Sequence, residues 1–137
     1  MTAQEVYREV EEALGIVPEF VKNVPEEAVD GFWSMLKNFQ LGETAIPNKY
    51  KELIGLAVAS QIPCSYCVTF HKEAAMLNGA TEREIREAIG MGAMTRAGST
   101  ILNGLQQDVG EFHEEVRAIV RHVQEQAKAQ EPMAQRR

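Results

Sequence analysis

The sequence predicts an all-α fold of about six to seven helices, and three observations predict it. Apolar residues recur at spacings of three and four along most of the chain. Residues that open and close helices punctuate that pattern, with capping boxes at Thr2–Glu5 and Thr81–Glu84 and a stop at Asn78-Gly79. Nowhere do apolar and polar residues alternate as they would along a half-buried strand.

The elements follow in order. Thr2 and Glu5 open a first helix whose stripe is Val6, Val10, Ala13 and Leu14, and Gly15 and Pro18 end it. Residues 19–23 read as a single turn closed by Pro25. A second helix spans residues 25–41, with Val29, Phe32, Trp33, Leu36 and Phe39 on one side. Four of the nine aromatic residues lie between Phe20 and Phe39, so this segment supplies much of the core's bulk. After a loop at 41–46, Pro47 starts a helix that is apolar all round over residues 53–59, which predicts burial on most sides. Gln61-Ile62-Pro63 breaks it. The next helix begins at or near Cys64 and stops at Asn78-Gly79. The second capping box opens a helix to about Gly98, residues 99–107 form a further short one, and the last starts near Val109 with Phe112, Val116, Ile119, Val120 and Val123 on one face. From Gln124 the chain turns polar and is expected to fray. Met76, Met91 and Met94 read as core filling.

Length and composition restrict the function classes. The chain of 137 residues is expected to form one domain over residues 1–137. With 45% hydrophobic and 25% charged residues it has the make-up of an ordinary globular protein. A net charge of −6 speaks against nucleic acid and anionic membranes as partners. No apolar run approaches the ~20 residues that span a bilayer, and the N-terminus lacks a signal peptide's apolar core, so the expected location is cytoplasmic. There is no Gly-rich phosphate loop and no motif for a nucleotide or flavin, so no cofactor is expected.

Titratable groups gather in one stretch, residues 52–71. It holds both cysteines, Cys64 and Cys67, with His71 four positions after the second and Glu52 twelve before the first. If a helix starts at Cys64, spacings of three and then four put both sulfurs and the imidazole on one face. The two cysteines are then near enough to form a disulfide. The helix N-terminus favours a thiolate, as does a nearby histidinium. The dipole favours Cys64 as the attacking sulfur and the histidine favours Cys67; spacing does not rank them. Glu52 belongs to the first turn of the preceding helix, and antiparallel packing would bring its carboxylate to His71. Two cysteines, a histidine and a glutamate also make four candidate zinc ligands, but structural zinc sites usually draw on two paired sets, so no metal is expected. A thioredoxin fold would need strands around the C-x-x-C, and none is visible. His113 and His122 lie on the last helix and read as solvated.

E-x11-C-x-x-C-x-x-x-H, here Glu52, Cys64, Cys67 and His71, resembles the motif of the AhpD-like proteins of the carboxymuconolactone decarboxylase superfamily. The resemblance covers residues 47–104, including N-G-A-T-x-x-E-I-x-E-A-I from Asn78 to Ile89. It implies an all-helical, single-unit domain that assembles as a homo-oligomer, a trimer or hexamer. It implies an antioxidant peroxidase that reduces a small hydroperoxide, or reduces a partner disulfide, with electrons from a lipoyl group or a thioredoxin-like protein. Cys67 would be the attacking thiolate that becomes a sulfenic acid. Cys64 would supply a proton and then form the Cys64–Cys67 disulfide, with His71 and Glu52 as the proton relay. Members often carry a histidine just before the second cysteine, where this chain has Tyr66. Two alternatives accompany this reading. One is γ-carboxymuconolactone decarboxylase, whose members lack the cysteine pair. The other is a non-catalytic oligomer that senses oxidation.

Overall fold

The computed structural model describes residues 1–130, in which seven α-helices and one π-helical turn follow one another with no strand among the described residues. They are α1 (Ala3–Leu14), α2 (Glu19–Lys22), α3 (Glu26–Met35), α4 (Asn48–Gln61), α5 (Ser65–Leu77), α6 (Glu82–Gly104) and α7 (Val109–Gln130). The chain gathers into two compact units, one of residues Met1–Ala93 and one that begins at Met94.

Within the first unit, local signals set the helix ends. Thr2 and Glu5 form the expected reciprocal cap, the Thr2 N–H donating to the Glu5 carboxylate at 2.7 Å and the Glu5 N–H to the Thr2 hydroxyl at 3.3 Å. The stripe of α1 buries Val6 and Val10 against Val21, Val29 and Trp33. The Trp33 indole N–H donates to Glu9 at 2.8 Å, and Lys37 pairs with the same carboxylate at 2.5 Å, which satisfies the polar edge of this first core.

A second core joins α4, α5 and the start of α6 through Leu56, Ala75, Ala80 and Ile85, flanked by Leu53 and Val68. Three residues connect α4 to α5, and the two helices pack side by side as a hairpin. The register is antiparallel: the Cys64 N–H reaches the Ala59 carbonyl at 3.2 Å, and Glu52 lies opposite His71.

Several expectations are corrected. The second predicted helix is not α-helical to its end, because α3 widens into a π-turn at Leu36–Gln40, closed by the Leu41 N–H on the Leu36 carbonyl at 2.9 Å. α4 is less enclosed than its composition suggests: Leu56 and Ala59 are buried, but Ile54 and Val58 are 53% and 54% exposed, since the second core covers only one side of the helix. Gly98 does not end a helix. α6 runs unbroken for 23 residues, because a glycine weakens a helix by only about 1 kcal/mol and removes none of its hydrogen bonds. Nor does the polar turn at Gln124 end α7, which continues to Gln130; the rest of the expected frayed tail, 131–137, lies outside the described residues. Met76, Met91 and Met94 are exposed rather than core filling.

Candidate active site

Ile62 and Pro63 turn the chain out of α4, and Cys64 enters α5 as its N-cap with an extended backbone (φ −98°, ψ 100°). Its sulfur takes the place that a serine oxygen fills in an ordinary cap and accepts the Cys67 backbone N–H at 3.3 Å. The thiol of Cys67, one turn along, also donates to this sulfur. Those two bonds pull the Cys64 thiol below its ordinary range, with a smaller contribution from the Tyr66 backbone N–H and with burial opposing. Cys67 moves the other way. Its proton is held by the bond to Cys64, and burial and the charge on Cys64 push it further up. Both thiols are free and half-buried.

This asymmetry predicts a labelling order. In the reduced protein, iodoacetamide followed by mass spectrometry is expected to modify Cys64 first, with a pH midpoint below that of an ordinary thiol. The thiolate is the form that reacts, so Cys67 should follow only at higher pH. Equal midpoints for the two would contradict the hydrogen-bond arrangement.

His71 lies one turn beyond Cys67 on α5 and is 20% exposed. Its Nδ1 lies 2.6 Å from Oε2 of Glu52, whose side chain is 2% exposed. Glu52 sits in the second turn of α4 rather than the first, since that helix starts at Asn48. The structure thus brings Glu52 and His71 into direct contact across 19 positions of sequence, and Cys64 and Cys67 into contact within three. Tyr66 projects outward and is 87% exposed. His113 and His122 are exposed on α7. Among the described residues no group of three or more His, Cys, Asp or Glu is disposed to hold a metal ion.

Two features of the site were missed in the sequence. Gly55 is the first. A Cβ there would lie 2.5 Å from Cε1 and Nδ1 of His71 and 2.8 Å from Nε2, so the imidazole rests against bare backbone. The signal was available, since Gly55 lies in an apolar helical run at i+3 from Glu52, on the same face. Gly55→Ala separates two effects. Propensity alone would stabilise α4 by about 1 kcal/mol. The added methyl instead displaces the ring from Glu52, and misplacement on this scale costs a reaction on the order of a hundredfold. Steady-state turnover and thermal melting of the variant are expected to show the loss of rate without the gain in stability.

The second feature is an apolar cavity of about 590 Å³, walled by Phe32, Met35, Leu36, Phe39, Ile46 and Ile54, with Lys51, Gly55 and His71 also on its lining. Leu36, Phe39 and Gln40 come from the π-turn. Lys51 braces that wall by donating to the Phe39 and Gly42 carbonyls at 2.7 and 2.6 Å. Of the four motif residues, His71 lines this cavity. No periodicity argument could reveal it, because the wall combines residues from α3, the π-turn, the 41–46 loop and α4.

The model of the carboxymuconolactone decarboxylase family matches residues 27–107, more than half of the chain. The chain belongs to the carboxymuconolactone decarboxylase family. Within this family setting, a Paracoccus denitrificans protein described as uncharacterized protein 4 in cox locus is 33% identical over 72 residues, which are 53% of this chain and 65% of that one. The chain therefore spans just under two thirds of that relative's length. The crystal structure of the alkylhydroperoxidase AhpD core from Rhodospirillum rubrum matches with a TM-score of 0.71 over 81% of this chain and 85% of that chain, at 23% identity. That likeness establishes a shared AhpD-like helical fold for this member of the carboxymuconolactone decarboxylase family. No helix among the described residues is long and apolar enough to cross a membrane.

Proposed function

We propose that this protein is a thiol-dependent peroxidase or disulfide oxidoreductase working through Cys64 and Cys67. The observation that carries this reading is the hydrogen-bonded sulfur pair at the head of α5, with the buried Glu52–His71 pair one turn further along. The cysteine pair supports this reading over a decarboxylase, since γ-carboxymuconolactone decarboxylases lack it.

The chemistry starts from the Cys64 thiolate, which accepts the proton of Cys67. The Cys67 thiolate so formed attacks the distal oxygen of a hydroperoxide and breaks the O–O bond. The departing alkoxide takes the proton now on Cys64 and leaves as an alcohol, with Cys67 as a sulfenic acid. Cys64, again a thiolate, displaces the sulfenic oxygen as hydroxide, which is protonated to water, and the Cys64–Cys67 disulfide forms. A dithiol donor, a lipoyl group or a thioredoxin-like protein, returns two electrons and two protons and departs as its own disulfide. Run against a partner disulfide, the same pair exchanges thiols for it. Glu52 holds Nδ1 of His71, so Nε2 is the ring nitrogen that exchanges protons with the thiols.

The apolar cavity beside His71 supports an organic hydroperoxide as substrate over hydrogen peroxide. We further read residues 1–137 as one domain, since the family match crosses the division at Ala93, and the protein as a cytoplasmic homo-oligomer, a trimer or hexamer. The test is stopped-flow turnover with cumene hydroperoxide or hydrogen peroxide and a dithiol donor. Catalytic consumption with cumene hydroperoxide preferred supports the proposal. A single disulfide-forming event without turnover points to a sensor, and turnover of γ-carboxymuconolactone instead would replace the reading altogether.

A further inference from the structure

The apolar cavity beside His71 has one lysine on its lining and no aspartate or glutamate; its other polar side chains, Gln40 and Thr44, are neutral, and His71 is already bonded to Glu52. Lys22, Lys37 and Lys49 each meet a carboxylate, those of Glu19, Glu9 and Glu84. Lys51 meets none among the described residues. Its half-buried ammonium donates to the Phe39 and Gly42 carbonyls at 2.7 and 2.6 Å and lies 5.8 Å from the centre of the Phe39 ring. An ammonium has three donors, so two hold this one in place and the third is left for another acceptor. Charges withdrawn from water are ordinarily paired, and here only carbonyl dipoles and a ring face answer the charge.

Position along α4 gives this cation a use. Lys51, Ile54 and Gly55 stand at i, i+3 and i+4, on one face of the helix. His71 rests on Gly55, and Lys51 lies one turn away, about 5.4 Å along the axis. Helical side chains lean toward the helix N-terminus, so the lysine stem leads away from the imidazole. Leu36, Phe39, Ile46 and Ile54 wall the space, which thus has a cationic end, an apolar body and an imidazole end. We propose that the substrate of this cavity is an organic hydroperoxide with one carboxylate on an apolar body, as in an oxidised fatty acid, and that Lys51 sets this specificity by holding the carboxylate. The carboxylate supplies the missing counter-charge through a charge-assisted hydrogen bond. A single cation among apolar walls suits one such group and not a small polyacid. The volume of about 590 Å³ is that of an ordinary small-molecule site. The proposal rests on the peroxidase reading for its reaction, whereas recognition of the carboxylate does not need the thiols.

The test compares cumene hydroperoxide with its 4-carboxy derivative in the turnover assay, and decanoic acid with decan-1-ol by calorimetric titration of the reduced full chain. The wild type is expected to favour the carboxylated hydroperoxide by about tenfold in kcat/KM, the scale of a hydrogen bond to a charged group. The gain should lie chiefly in KM, since the carboxylate is held alike before and during the reaction. Decanoic acid should likewise bind about tenfold more tightly than decan-1-ol. Lys51→Met is expected to abolish both preferences and Lys51→Arg to keep them. Loss of a mere brace for the Phe39 wall would slow both hydroperoxides together, so a preference that persists in Lys51→Met overturns the assignment. A wild type that treats the members of each pair alike overturns it too. Decanoic acid held through Lys51 by a protein that turns over neither hydroperoxide keeps the carboxylate site and strikes the peroxidase reading. Turnover of both hydroperoxides at equal kcat/KM does the reverse.

Discussion

Cys67→Ser is expected to consume no hydroperoxide, with turnover falling by more than about a thousandfold, as when an enzyme loses its nucleophile. The hydroxyl is too weak an acid to supply an attacking anion, even with a thiolate at Cys64 to accept its proton. Cys64→Ser should behave differently. Its oxygen can still cap α5 by accepting the Cys67 N–H, so the fold survives and Cys67 remains able to react. Without a second sulfur, the sulfenic acid has no partner. One equivalent of hydroperoxide is then consumed, and a dimedone adduct should be found by mass spectrometry on Cys67. This pair of variants also tests the division of labour between the thiols, because Cys64 is the more acidic and Cys67 the proposed attacker. If the adduct appears instead on Cys64 in the Cys67→Ser protein, the roles are exchanged, and acidity rather than the proximity of His71 decides which sulfur attacks.

The second large effect is expected at Glu52, a positioning residue that acts through His71. Its carboxylate is buried and bonded to the imidazole at 2.6 Å. Glu52→Ala removes the partner of a mostly buried ring nitrogen, which costs about 1–3 kcal/mol in stability, and leaves the ring free to turn. Glu52→Gln keeps the volume and an acceptor for Nδ1–H but replaces a charge-assisted hydrogen bond by a weaker neutral one. Both are expected to lower turnover on the order of a hundredfold, the scale of lost acid–base assistance. Only the alanine variant should also melt early. The distinguishing readout is the split between rate and stability: if Glu52 serves the reaction through His71, the glutamine variant loses kcat while keeping its melting temperature. A purely structural Glu52 would leave kcat unchanged in the glutamine variant.

Much of this site was legible in the linear chain because it depends on local geometry. The spacing from Cys64 through Cys67 to His71 needs nothing beyond a helix that begins at Cys64, and Pro63 marks that start. The cap, the turn-by-turn stacking and the acidity of a sulfur at a helix N-terminus all follow from neighbours in sequence. Glu52 was harder to place, since its carboxylate meets His71 only because α4 and α5 fold back on one another in register. Gly55 was legible in principle, but its reason lies on α5, where a ring presses against the backbone.

By itself, the sequence determined the helical class, the caps and the spacing of the two cysteines and the histidine along α5, since helical pitch and end effects act over a few residues. Tertiary structure decided the rest. It turned the carboxylate 19 positions away into the imidazole's partner, walled an apolar cavity from four separate segments and left α4 partly open. The physical reason is that these features depend on which helix faces press together, and the burial that selects those faces is summed over the whole chain rather than over any one stretch of it.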